Sequence, residues 1–175
     1  MATEIEYELT FLSKKIPGEI KGVNGIPMHD IMVPDTVLHP HLRLRHQGDS
    51  YVITKKVPVR SGDSTEMIEE TIPLEEVEFE ALAKSSTKDV IKTRYKVDIG
   101  GYPAEVDVFG GKLKGLVLID FEFSSSEQKE EFIMPDVCLA NVSNLEFIAG
   151  GFIAGKSFED IEHELDKFGY KRLGE

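Results

Sequence analysis

Ionisable residues recur at every second position in segment after segment of this chain. Glu4, Glu6 and Glu8 alternate with Ile5, Tyr7 and Leu9, and Arg43 and Arg45 alternate with Leu42 and Leu44. Thr54 and Lys56 share a parity opposite Ile53; Lys92, Arg94 and Lys96 form a basic row. Glu105 and Asp107, then Asp120 and Glu122, form acidic pairs. Acids and bases occupy separate segments, whereas ordinary solvated surfaces intersperse them. Arginine and lysine grip phosphate oxygens through charge-assisted hydrogen bonds, and carboxylates hold hard divalent cations such as Mg²⁺ or Mn²⁺. The set therefore suits a polyanion held with metal ions if the rows face one enclosed space. The same spacing also suits the solvated outer face of an antiparallel sheet.

The elements that must position these rows are mainly strands, since a period of two puts alternate side chains on opposite faces. Turn signals HQGD, RSGD, DIGGYP and FGGKLKG separate the runs. Helices are fewer. Pro73 to Ser86 opens with proline and two acids, as a helix N-terminus does, and Ser124 to Phe132 is short and polar. In SFEDIEHELDKFG, Ser157 is placed as an N-cap with Asp160 three residues on. Phe158, Ile161, Leu165 and Phe168 then form an apolar stripe that Gly169 ends. Lys14 to Pro40, rich in proline and glycine, reads as irregular. The uncharged strand faces are apolar and need covering from outside, so a closed antiparallel barrel would enclose the ionic face in a hydrated lumen.

Composition narrows the classes. A chain of 175 residues, 41% hydrophobic, suits one domain with a real core, expected over 1–175. A net charge of −12 argues against nucleic acid as a partner. No run of about 18 apolar residues occurs, so no membrane span is expected. The acidic, alternating start MATEIEYELTFL is unlike a signal peptide. Cys138, the single cysteine, allows neither an internal disulfide nor a multi-cysteine zinc site; its expected role is packing, and a reducing cytoplasm fits. His39, His41 and His46 read as a solvated loop.

One literal motif competes. AGGFIAGKS matches the phosphate-loop pattern G-x-x-x-x-G-K-[ST] at Gly150, Gly155, Lys156 and Ser157. A phosphate loop needs a parallel α/β sheet around it, and the few residues after Ser157 cannot supply its further strands. The match reads as accidental.

EIEYE resembles the ExExK opening of the CYTH, or triphosphate tunnel metalloenzyme, superfamily. HLRLR, YVITKK, TEMIEETI, KTRY, AEVDVFGGKLKGL and VLIDFEF follow in that family's order, and the similarity covers nearly the whole chain. The resemblance implies an α+β fold built on an eight-stranded antiparallel β-barrel, a tunnel with flanking helices. It implies a triphosphate-containing small molecule as partner, Mg²⁺ or Mn²⁺ as cofactor, and metal-dependent hydrolysis of inorganic, thiamine or nucleoside triphosphate. Class IV adenylyl cyclase activity is the rival on the same fold, and a non-catalytic polyphosphate binder is a rival of another class. A homodimer is allowed. Carried over, Glu4 and Glu6 correspond to first-strand metal carboxylates, and Glu4, Glu6 and Glu122 to the catalytic acids. Glu70, Asp107, Asp120 and Glu122 complete the metal set, with Glu66 and Glu69 as alternatives to Glu70. Arg43, Arg45, Lys56 and Arg94 correspond to phosphate ligands, and Lys156 stands in for a plug lysine of some members. Glu8 departs from the family's lysine, Asp120 stands where glutamate is more usual, and Lys14–Pro40 replaces a segment that is helical in many relatives.

Overall fold

The computed structural model describes residues 4–174, the Glu4 side chain excepted. The alternating segments form strands β1 (Glu4–Ser13), β2 (Ile26–Val33), β3 (Leu42–Gln47), β4 (Ser50–Arg60), β5 (Asp63–Leu74), β6 (Asp89–Ile99), β7 (Tyr102–Phe109), β8 (Val117–Phe123) and the short β9 (Cys138–Asn141). Helices are α1 (Glu76–Ala83), α2 (Ser126–Glu130), α3 (Gly150–Ile153) and α4 (Phe158–Asp166). The sheet order β5-β4-β3-β2-β6-β7-β8-β1 closes on itself where β1 meets β5, giving an eight-stranded antiparallel barrel. Closure leaves no long free edge. The β6–β7 hairpin turns on Gly100 and Gly101, at φ 64° and 87°, a pair of left-handed residues matched to the strand twist.

The closing seam is split. β1 pairs with β5 through Glu4–Tyr7 and with β9 through Phe11–Ser13. Between them the chain after β9 fills the gap: Val142 N–H donates to Thr10 O at 2.8 Å, and Thr10 N–H donates to Ser143 Oγ at 2.9 Å. From there the C-terminal segment stoppers one end of the barrel. Barrel residues Leu12, Met32, Val90, Phe109 and Leu118 share one buried cluster with Val142, Ile148, Ile153, Phe158, Ile161 and Leu165. α4 begins as its sequence predicts: Ser157 Oγ accepts from Asp160 N–H, and the Asp160 carboxylate accepts from Ser157 N–H.

Two expectations about elements change. Lys14–Pro40 is not irregular throughout, because it contains β2. Inward Met28 and Met32 alternate with outward Ile31 and Val33, so both faces are apolar and the period of two is masked. The helix expected over Pro73–Ser86 contracts to Glu76–Ala83, with Pro73 and Leu74 finishing β5. α1 buries Phe79 on Ile31 and Leu44, covering part of the barrel's outer face. No helix among the described residues is long and apolar enough to cross a membrane.

Candidate active site

The barrel encloses a cavity of about 740 Å³ whose wall carries the charged rows. Cations come from β3 (Arg43, Arg45), β4 (Lys56) and β6 (Lys92, Arg94, Lys96). Carboxylates come from β1 (Glu6, Glu8), β2 (Asp30), β5 (Glu69), β7 (Glu105, Asp107) and β8 (Asp120, Glu122). Strand register sets the pairs, since directly opposed residues on one face lie within side-chain reach.

The densest network spans β6, β7 and β8. Arg94 faces Asp107 in register and donates to it from Nε and Nη2, each at 2.7 Å. Its Nη1 donates to Glu105, and Nη2 reaches Asp120 at 3.4 Å. Lys92 Nζ reaches Asp107 at 2.5 Å. Burial opposes ionisation of Asp107, but Lys92 and Arg94 outweigh it and hold the carboxyl down at about 2. On the other wall, Asp30 faces Arg45 and accepts from its Nε and Nη2 at 2.6 and 2.7 Å, a bidentate pair.

A third cluster lies between β1, β4 and β5. Lys56 Nζ is 2.5 Å from Glu6, 3.8 Å from Glu8 and 3.8 Å from Glu69. The Glu6 contact is ionic, off the hydrogen-bond direction, and leaves Glu6 Oε2 without a hydrogen-bond donor. Against this paired background Arg43 stands alone. It lines the cavity, forms no ion pair or side-chain hydrogen bond among the described residues, and its buried Nε is unsatisfied. Burial, then the charge of Arg45, pulls its guanidinium down, and Asp30 and Glu69 only partly compensate.

Negative charge is in excess between β1 and β8. Glu8 and Glu122 are directly opposed in register, a like-charge pair that normally destabilises a sheet. Burial, then the charges of Glu8 and Asp107, pushes Asp120 up to about 7, although Thr10 Oγ1 donates to it at 2.7 Å. Burial, then Glu105, Glu8 and Glu6, raises Glu122 in the same direction. Among the described residues no three His, Cys, Asp or Glu side chains are preassembled as a metal cage. The donor set nonetheless fits a hard divalent cation: it is all carboxylate oxygen and over-supplied with negative charge.

Asp120 also sets a pH dependence. A carboxyl whose folded-state pKa is raised stabilises the fold fully below its unfolded value near 3.8, and that contribution is lost as pH rises to about 7. In EDTA, Asp120→Asn is expected to remove this loss, so that its urea midpoint gains on wild type between about pH 4 and pH 7. A midpoint difference that stays flat across that window would show that Asp120 ionises normally.

The fold gathers Glu6, Arg43, Arg45, Lys56, Arg94, Asp107, Asp120 and Glu122 around one cavity. For Glu4 the backbone pairs with Glu69, while its side chain lies outside the described residues. Two assignments are corrected. Glu70 is exposed on the outer face of β5, because its parity is opposite to that of Met67 and Glu69, which line the cavity. Glu66 shares that outward parity and is held by Arg60 and Lys129. Lys156 does not enter the tunnel: it lies beyond the stopper in an outer concavity, its Nζ 3.2 Å from the centre of the Phe152 ring. The His39–His41 loop also differs from a freely solvated one, since both rings border the cavity, 5.1 Å apart. Asp30 went unassigned in the sequence because β2 itself was masked, and Lys92 was visible only as a member of the 92/94/96 row.

The phosphate-loop match fails on its amides. Backbone N–H groups of Phe152, Ile153, Ala154, Gly155 and Lys156 all donate to carbonyls within the protein, and that of Ser157 donates to Asp160. None of these six is left to cradle an anion.

A closed antiparallel barrel with opposed acidic and basic walls defines the tunnel class of phosphate-handling proteins. No family model matches the chain. It is 32% identical over 133 residues to an inorganic triphosphatase of Nitrosomonas europaea, covering 74% of this chain and 83% of that one. The crystal structure of the inorganic triphosphatase NE1496 superposes with a TM-score of 0.62 at 29% identity, over 88% of this chain and 95% of that one. A conserved hypothetical protein from Pyrococcus furiosus shares the fold with a TM-score of 0.50 at 17% identity, over 95% of this chain and 91% of that one. The chain belongs to the CYTH, or triphosphate tunnel metalloenzyme, superfamily.

Proposed function

We propose that this protein hydrolyses inorganic triphosphate with Mg²⁺ or Mn²⁺, the substrate lying in the barrel cavity. The observation that carries this reading is Arg43, whose guanidinium lines the cavity with an unsatisfied Nε and no ion-pair partner among the described residues. An unpaired cation there is costly to the fold and becomes favourable only when an anion enters. Inorganic triphosphate is preferred because the relative of known name acts as an inorganic triphosphatase. Arg43 takes the first phosphate contact, and Arg45, Lys56 and Arg94, which line the same cavity, share the remaining oxygens. Glu4, Glu6, Asp120 and Glu122 would hold the divalent ion, with Asp107 behind Arg94, and the bound ion would neutralise phosphate charge and polarise a terminal phosphorus. Glu122, raised by burial, is positioned to align the attacking water for in-line displacement.

The test offers inorganic triphosphate, ATP and thiamine triphosphate with Mg²⁺, Mn²⁺ or EDTA and follows phosphate and cyclic AMP. Metal-dependent phosphate release, fastest from inorganic triphosphate, is expected. Cyclic AMP as the main product from ATP would replace hydrolysis by cyclisation. Within this assay Glu69→Gln is expected to change turnover several-fold, because Glu69 contacts Lys56, whereas Glu70→Gln leaves it within about twofold. Equal effects of the two substitutions would refute the assigned parity.

Glu8 favours a second reading, a triphosphate binder with little turnover. It adds a carboxylate beside Lys56 and, with Glu6, outweighs burial to raise that lysine, so Lys56 is drawn toward acids rather than phosphate. Glu8→Lys changes the local charge by two units. On the binder reading it raises kcat/KM for triphosphate by about tenfold or more, a gain of about 1.4 kcal/mol in transition-state binding. On the hydrolase reading wild type already turns over and Glu8→Lys lowers its metal affinity, read as a higher Mn²⁺ requirement.

A further inference from the structure

The stopper of the barrel has two sides. Its inner side, with Gly150 and Ile153, closes the cavity; beyond it lies a separate concavity of about 340 Å³. Gly151 belongs to both walls, and a Cβ there would stand 2.5 Å from Pro40 O, so the partition is thin and tightly packed. Three lysines line the outer concavity from separate parts of the chain: Lys88 just before β6, Lys112 after β7 and Lys156 before α4.

None of the three is ion-paired with a carboxylate among the described residues. Lys88 Nζ donates to Val37 O at 2.6 Å, and Lys156 rests on the Phe152 ring, which leaves further ammonium hydrogens for a ligand. Burial, chiefly, and the charge of Lys88 pull Lys156 below the ordinary lysine range, while Asp160 and Glu146 act against that shift. In a chain with 32 acids against 20 bases, a concavity walled by three such lysines runs against the composition. The amides of residues 152–157 are already engaged, so an anion here relies on the lysine side chains.

We propose that the Lys88–Lys112–Lys156 concavity is a second anion site, which binds a compact phosphate-type anion, inorganic phosphate or pyrophosphate, outside the tunnel. Ammonium groups act as compact point charges with rotatable donors, suited to a small tetrahedral anion. The site is independent of turnover in the cavity, since Gly151 and its neighbours separate the two.

The test follows backbone amide shifts of the full-length protein in EDTA at fixed ionic strength as inorganic phosphate, then pyrophosphate, is added. Saturable shifts centred on residues 88, 112 and 156 are expected. The triple variant Lys88→Gln, Lys112→Gln, Lys156→Gln is expected to weaken binding by about tenfold or more, since it removes all three charged donors. Shifts at Arg43 and Thr54 in the cavity, and triphosphate turnover, stay within about twofold. The proposal is overturned if the wild-type shifts are linear and reproduced by chloride, or if the triple variant binds as tightly as wild type. Loss of turnover alone, with these shifts intact, would count against the tunnel chemistry and leave this site standing.

Discussion

Arg43→Met is expected to lower triphosphate turnover by about 10²- to 10³-fold while raising the melting temperature of the ligand-free protein. The two effects share one cause. Arg43 lines the cavity with an unsatisfied Nε, no ion pair, and a guanidinium disfavoured by burial and by Arg45. An unsatisfied buried polar group costs about 1–3 kcal/mol, and methionine fills similar space without that cost. The gain in the empty protein should therefore be on the order of 1 kcal/mol, smaller than the full penalty because Asp30 and Glu69 attract the charge in part. When triphosphate binds, the balance reverses, for the anion satisfies a cation that no described residue does. Thermal scans with inorganic triphosphate in EDTA separate the terms: wild type should be stabilised strongly by the ligand, and Arg43→Met weakly. Equal ligand-induced shifts in the two proteins would remove Arg43 from the binding set and with it the main support for the proposed function.

How far the sequence revealed this site depended on whether each strand kept one face apolar. β1, β3, β6, β7 and β8 alternate cleanly, so their lumen rows could be read directly, and register then brought Arg94 to Asp107 and Lys96 to Glu105. β2 hid itself because Met28 and Met32 face the cavity while Ile31 faces α1. β5 was visible as a strand but not in parity. In TEMIEETI the adjacent Met67 and Ile68 point to opposite faces, so hydrophobicity cannot say whether Glu69 or Glu70 turns inward. The β4–β5 register also slips between Pro58 and Arg60, which a count along the chain cannot anticipate. Lys156 was misplaced for a different reason. Spacing located the capped helix after Ser157, whereas the side of the stopper on which Lys156 lies depends on packing that the sequence does not display.

Arg94→Ala is expected to act in the opposite sense to Arg43→Met, destabilising the fold by about 3–5 kcal/mol, because it removes one partner of a buried ionic network. Arg94 answers Asp107, Glu105 and Asp120 together, and its side chain is only 12% exposed. Without it Asp107 keeps Lys92 alone, while Asp120, already raised to about 7, loses an attracting charge. The loss should depend on pH with a definite sign. In wild type the depressed carboxyl of Asp107 contributes stability that is present above its unfolded value near 3.8 and is lost as pH falls toward about 2. Much of that contribution comes from Arg94, so the variant's deficit should be full at pH 7 and shrink as pH is lowered below about 4, where the carboxylates take up protons. Urea midpoints at about pH 2.5 and about pH 7 read it directly. Adding Asp107→Asn to Arg94→Ala should recover part of the deficit, since the stranded carboxylate is removed. A deficit of the same size at both pH values, unrelieved by Asp107→Asn, would mean that Arg94 supports the barrel by packing its aliphatic stem and that the charges around it contribute little.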